Sequence, residues 1–178
     1  GYDSALVRAK PFLDEHHIVF KPGLNEDLAA TAVWGSQHTE IFPGAKYDGV
    51  FSIWYGKGPG VDRSGDVLKH GNFAGAGKKG GVLLLAGDDH GAKSSSMPHQ
   101  SEQAFVAALI PVLNPATVQE YLDFGLWAFG ASRYSGCWVG FKAISDTVES
   151  SASVSVDPHR VTLVEPTDFD MPAGGLNI

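Results

Sequence analysis

The stretch Gly80-Gly81-Val82-Leu83-Leu84-Leu85-Ala86-Gly87 restricts the fold more than any other part of the chain. It is apolar at every position between its glycines and lacks the alternation of a strand with one wet face, so it reads as a strand covered on both sides. Such a strand belongs to a parallel sheet, whose crossover connections lay helices over both faces. The remaining glycines cluster where short apolar runs meet longer stretches of helical spacing, which is the alternating pattern of an α/β layered fold. At 178 residues the chain is long enough for one such core.

The spacing predicts helical character over Asp3 to His16, broken by Pro11, then a short strand over Ile18 to Lys21 and a small-residue helix over Asn25 to Gln37. Gly49 to Tyr55 reads as a buried strand, Gly56 to Gly60 as a loop, and Asp62 to Phe73 as a weaker helix. After the central strand come a polar loop, Asp88 to Gln100, a helix over Ser101 to Ala108 and a strand over Ile110 to Leu113. A helix over Ala116 to Ala131 carries Val118, Leu122 and Leu126 on its apolar side, and Cys137 to Ile144 closes the sheet. Beyond Glu149 the texture turns Ser-rich and Pro/Gly-punctuated, so 150–178 reads as a segment leaving toward another domain, a strand from it pairing back onto this one being equally allowed.

Charge and cysteine content narrow the function. Thirteen Lys and Arg against twenty Asp and Glu give a net charge of −7 without a basic run, which disfavours nucleic acid as a partner. The single Cys137 excludes an internal disulfide, a cysteine-based zinc site and a four-cysteine iron-sulfur cluster within these residues. No charged-then-apolar leader and no long apolar run is present, so a cytoplasmic location without membrane contact is expected.

In open parallel sheets ligands sit beyond the carboxyl ends of the strands, which gives most weight to the loops at Pro22 to Glu26, Gly56 to Asp66 and Gly87 to Gln100. Gly75-Ala76-Gly77-Lys78-Lys79-Gly80 has dinucleotide-motif spacing, but its strand follows rather than precedes it, so it reads as a helix-to-strand turn. Asp88, Asp89, His90 and His99 offer oxygen and imidazole ligands without a fixed metal spacing, and helix capping explains the same residues, so no metal is assigned. Asn25 is a good N-cap, with Glu26 and Asp27 in the first helical turn where the helix dipole favours anions. Ala29, Ala30, Ala32, Gly35 and Ser36 make that helix slim, able to hold its first-turn carboxylate close to a ligand or a partner domain.

The segment from Pro22 to Gly35, Pro-Gly-Leu-Asn-Glu-Asp-Leu-Ala-Ala-Thr-Ala-Val-Trp-Gly, strongly resembles the long, fused form of indolepyruvate ferredoxin oxidoreductase. Tyr55 to Asp66, Ala86 to Ser96 and Ser132 to Trp138 are similar to the same family, so the resemblance spans nearly the whole chain. It implies that 1–149 is a Rossmann-like, three-layer domain binding the aminopyrimidine of thiamine diphosphate, entered just after the family's first strand and cofactor loop. A related domain of the same enzyme is then expected to hold the diphosphate and Mg2+. Iron-sulfur clusters, ferredoxin and coenzyme A would be engaged by other domains, and a homo-oligomer is expected.

By the same resemblance Glu26 falls on the family's catalytic glutamate, with Asn25, Lys57, Gly58 and Gly60 near the cofactor. Its carboxyl would bond N1′ of the pyrimidine and favour the imino tautomer, whose 4′ nitrogen takes the C2 proton. The arginine of the pyruvate branch has no counterpart after Gly81 to Ala86, so Asp88, Asp89, His90, Lys93 and Ser94 are the substrate candidates, for an aryl-pyruvate type of 2-oxo acid. Asp88 and His90 are expected to line a solvent-open cleft. The activity implied is oxidative decarboxylation to an acyl-CoA with reduction of ferredoxin, the isolated chain being inactive. A noncatalytic scaffold or dimerisation domain of this fold, and a metal-dependent hydrolase using the Asp-Asp-His loop, are the alternatives.

Overall fold

The computed structural model describes all residues except 158, 174, 177 and 178. Its elements are α1 (Tyr2–Arg8), α2 (Lys10–Glu15), α3 (Glu26–Ser36), β1 (Phe51–Lys57), α4 (Gly58–Arg63), α5 (Gly65–Ala74) and β2 (Gly81–Asp88), followed by α6 (Glu102–Ala107), β3 (Val112–Leu113), α7 (Val118–Ser135), β4 (Val139–Ile144) and α8 (Ser145–Val148). The four strands form one parallel sheet in the order β1-β2-β4-β3.

The apolar run does what its composition requires. Val82, Leu84 and Ala86 point to one face, where Trp54, Val61, Leu68, Phe105 and Trp138 complete a core beneath α3 to α6. Leu83 points to the other, where it joins Val139, Phe141 and Ala128 beneath α7. The result is a helix-sheet-helix sandwich of three layers, the α/β architecture expected from the sequence.

Several expectations change in detail. Ile18 to Lys21 forms no strand: His17 turns the chain at φ 55°, and the residues that follow lie without a ladder partner, Val19 being 86% exposed. A β-propensity run becomes a strand only where an edge can receive it. The loop expected at Gly56 to Gly60 is absent: β1 runs through Lys57, and Pro59 in the first turn lets α4 begin at Gly58. Cys137 to Ile144 does not close the sheet. β4 lies between β2 and β3, since α6 carries the chain outward to the edge and α7 returns it across the opposite face. On α7, Leu122 and Leu126 are about half exposed while Ala128 and Ser132 are buried and Tyr121, Phe124 and Phe129 face the core. Apolar residues surround this helix, so the i, i+4 rule alone selected the wrong side.

The glycine motif is the turn from α5 into β2, with Gly75 at φ 87° after the helix. The buried Gln37 stitches it down, accepting from the Gly77 amide at 3.1 Å and donating to the Val50 carbonyl at 3.1 Å. Residues of the 150–178 stretch run back over α7: the Gln119 amide holds both backbone groups of Ser155, and Leu163 packs on Gly130, where any Cβ would crowd it.

Candidate functional site

Because the strands are parallel, their carboxyl ends face one way. Lys57, Asp88 and Ile144 end β1, β2 and β4 there, and α4 and α8 start directly from the first and last of these. Asn25 caps α3 at the same end by accepting from the Leu28 amide at 2.9 Å, which uses its side-chain oxygen. The Trp54 indole donates to the Glu26 carbonyl at 2.9 Å, pinning the first turn of α3 to β1.

Glu26 is half-buried, and no described residue hydrogen-bonds its carboxylate. The side chain lies over Gly60, where an added Cβ would come within 2.7 Å of the Glu26 Cγ. Its neighbour Asp27 is committed: Arg63 donates to it at 2.7 Å and holds its carboxyl below the usual carboxylate range. The first turn therefore carries one acid paired to α4 and one acid free.

Gly58 serves His99. A Cβ at Gly58 would overlap the imidazole, which is nearly buried with Nε2 2.8 Å from Asp62 and Nδ1 3.9 Å from Asp88 without a hydrogen-bond partner. Lys57 is also occupied, donating to the Ser94 carbonyl at 2.8 Å.

The polar loop 89–100 is tied across the end of the sheet rather than left open. Asp89 accepts from the amides of Lys93 at 2.9 Å and Ser94 at 2.8 Å. The amide donors, Ser94 first, hold its carboxyl below the ordinary range. Lys93 reaches Asp146 of α8 at 2.6 Å, so its ammonium is directed away from the Glu26 side.

The expectation that Asp88 lines a solvent-open cleft is overturned. Asp88 is 2% exposed and accepts from the Ser101 amide at 2.8 Å and the Ser101 hydroxyl at 2.6 Å, so it fixes the entry to α6. It points along the covered face shared with Val82, Leu84 and Ala86. His90, by contrast, is half-buried.

Two residues unremarked in the sequence complete this corner. Lys142 of β4 is 2% exposed, and its ammonium lies 2.8 Å from Glu102 Oε2, 3.2 Å from His90 Nε2 and 3.6 Å from Asp88 Oδ2. Burial pushes the Glu102 pKa up, but the Lys142 hydrogen bond and the neighbouring charges outweigh it and the pKa falls. Asp88, His90 and Glu102 bring ligand atoms within 4.8 Å of one another, a grouping a divalent metal could use. The Lys142 ammonium lies within 3.6 Å of all three and supplies the positive charge itself. A lysine inside an otherwise apolar, doubly covered strand was the available signal for this cluster.

The carboxyl end thus has two parts: Glu26 over Gly60, and His90 on Lys142, with His99 between Asp62 and Asp88. No family model matches the chain, and no curated protein matches it. Among the described residues no helix is long and apolar enough to cross a membrane.

Proposed function

We propose that this chain is a pyrimidine-binding domain of a thiamine diphosphate enzyme, of the 2-oxoacid ferredoxin oxidoreductase type that its sequence resembles. The observation that carries the reading is the Glu26 carboxylate. It is half-buried, without a hydrogen-bond partner among the described residues, aimed over a glycine, and positioned at the carboxyl end of a parallel sheet. A carboxylate needed only to start a helix would be paired or fully solvated, as Asp27 and Asp66 are.

The residues present fit an aminopyrimidine. Gly60 lets the Glu26 stem lie against α4, since its Cγ fills the place a Cβ would take, and the Trp54 anchor on the Glu26 backbone holds the acid in place with its carboxylate oxygens unbonded among the described residues. Bound there, thiamine diphosphate supplies the nucleophilic carbon and the electron sink for decarboxylation of a 2-oxo acid. Glu26 would hydrogen-bond the N1′ ring nitrogen, and the Trp54 bond and the Asn25 cap fix the helix turn that carries it. His90 is the substrate-facing candidate that retains an exposed edge, whereas Asp88 and Asp89 organise the loop that carries it. The diphosphate, Mg2+, clusters, ferredoxin and coenzyme A are assigned to other domains.

An open groove of about 420 Å³ lies between α5 and α6, where Phe73, Ala107 and Leu109 are joined by Lys69, His70 and Asn72. It favours a second reading, a scaffold domain whose working surface is this groove. Titrating the multidomain enzyme proposed to carry this chain with thiamine diphosphate and Mg2+ while observing a 13C-labelled Glu26 carboxyl separates the two. A saturable shift at Glu26, lost when the pyrimidine amino group is removed from the ligand, supports the cofactor reading. A silent Glu26 at saturating cofactor rejects it.

A further inference from the structure

Lys142 lies on the covered face of β4 and reaches the carboxyl end of the sheet, where four groups from four elements converge. Asp88 comes from β2, Glu102 from α6, Lys142 from β4 and His90 from the loop, while His99 faces Asp88 from the far side at 3.9 Å. The 3.2 Å contact between Lys142 Nζ and His90 Nε2 decides the state of the imidazole. An ammonium has only donors, so Nε2 must accept, and an accepting Nε2 carries no proton. The Lys142 ammonium is paired with the Glu102 carboxylate at 2.8 Å and lies 3.6 Å from that of Asp88. The single ring proton then sits on Nδ1, which has no partner among the described residues and is not among the enclosed polar atoms.

We propose that Lys142 is a positioning residue that fixes His90 as the neutral Nδ1–H tautomer. The exposed edge of the ring then offers one uncharged donor to a carbonyl or carboxylate oxygen of a bound ligand. That the ligand is a 2-oxo acid rests on the function proposed above, whereas the tautomer does not. Free histidine favours the opposite tautomer, so the arrangement is a departure that the Lys142 donor at Nε2 accounts for.

The test is the two-bond 1H–15N correlation spectrum of the full chain labelled with 15N-histidine, at neutral pH, without cofactor or substrate. His90→Gln identifies the His90 signals by their loss. The expected result is a protonated Nδ1 and a bare Nε2 at His90; a protonated Nε2, or an imidazolium, overturns the proposal. In Lys142→Met the His90 pattern is expected to leave the Nδ1–H form while the histidines distant from the cluster keep theirs. A Lys142→Met chain that retains the wild-type pattern also overturns it. Should that variant fail to fold, the wild-type spectrum still decides. The expected tautomer together with a silent Glu26 carboxyl would reject the thiamine reading alone, and a wrong tautomer with a responding Glu26 would reject this inference alone.

Discussion

Substituting Gly58 by alanine puts two opposing effects on one methyl group. Gly58 opens α4 and has no positive φ, so the backbone accepts alanine there. Helix propensity and a stiffer unfolded chain favour the change by up to about 1 kcal/mol. Against this, the new Cβ overlaps the ring of His99, which is only 11% exposed and tied to Asp62 at 2.8 Å. Overpacking costs about 1–3 kcal/mol, and losing the Asp62 hydrogen bond adds roughly 1 kcal/mol. The net expectation is a loss of roughly 1–3 kcal/mol, or about 3–10 °C in Tm at this chain length. In a His99→Ala background the obstacle is gone, and the same substitution is expected to be neutral or to stabilise by up to about 1 kcal/mol. Urea unfolding of the four chains in this double-mutant cycle reads the coupling directly. An equal loss in both backgrounds, or no loss in the wild type, refutes the claim that Gly58 is glycine because of His99.

Asp88→Ala strips the partners from the Ser101 amide and hydroxyl and one carboxylate from buried Lys142, so urea unfolding should show a loss of about 3–5 kcal/mol; a loss below about 1 kcal/mol contradicts its structural role. Asp89, its folded-state pKa depressed, contributes stability that is present above about pH 4 and lost as pH falls through the folded value. Asp89→Asn is therefore expected to lower the urea midpoint at pH 7 and to converge with the wild type in acid, and a gap that persists at about pH 2 contradicts this.

The layer plan was legible because an apolar run without alternation admits few environments, and Gly81 to Ala86 had no polar side to offer water. The cap at Asn25 and the first-turn acids Glu26 and Asp27 were legible from local chemistry, since all lie at the same helix start, whereas which of the two Arg63 would take was not. Ile18 to Lys21 was misjudged because strand formation depends on an available edge, which local sequence does not encode. The helix face of α7 was ambiguous for a similar reason: Leu122 and Tyr121 are equally apolar, and only the position of the sheet selects between them. Asp88 was read as a solvent-facing loop residue because a carboxylate after a buried strand ordinarily meets water. Here β2 extends through residue 88, and Ser101, thirteen residues on, covers the acid. Lys142 and Glu102 lie forty residues apart in sequence, so their pairing with Asp88 and His90 becomes visible only once β4 is inserted beside β2.

The central claim is that Glu26 exchanges a proton with a bound aminopyrimidine, and the exchange rate of the cofactor's C2 proton in the multidomain enzyme proposed to carry this chain tests it most directly. As a first-turn anion Glu26 contributes only about 0.3–1 kcal/mol to stability, so Glu26→Gln should leave Tm within about 4 °C of the wild type. As the proton-holding partner of N1′ its loss should slow C2 exchange by about 10²–10⁴, followed by NMR after acid quench in deuterated buffer. A Glu26→Gln enzyme that folds and exchanges C2 at the wild-type rate would contradict the account, leaving Glu26 as an acid that merely starts a helix.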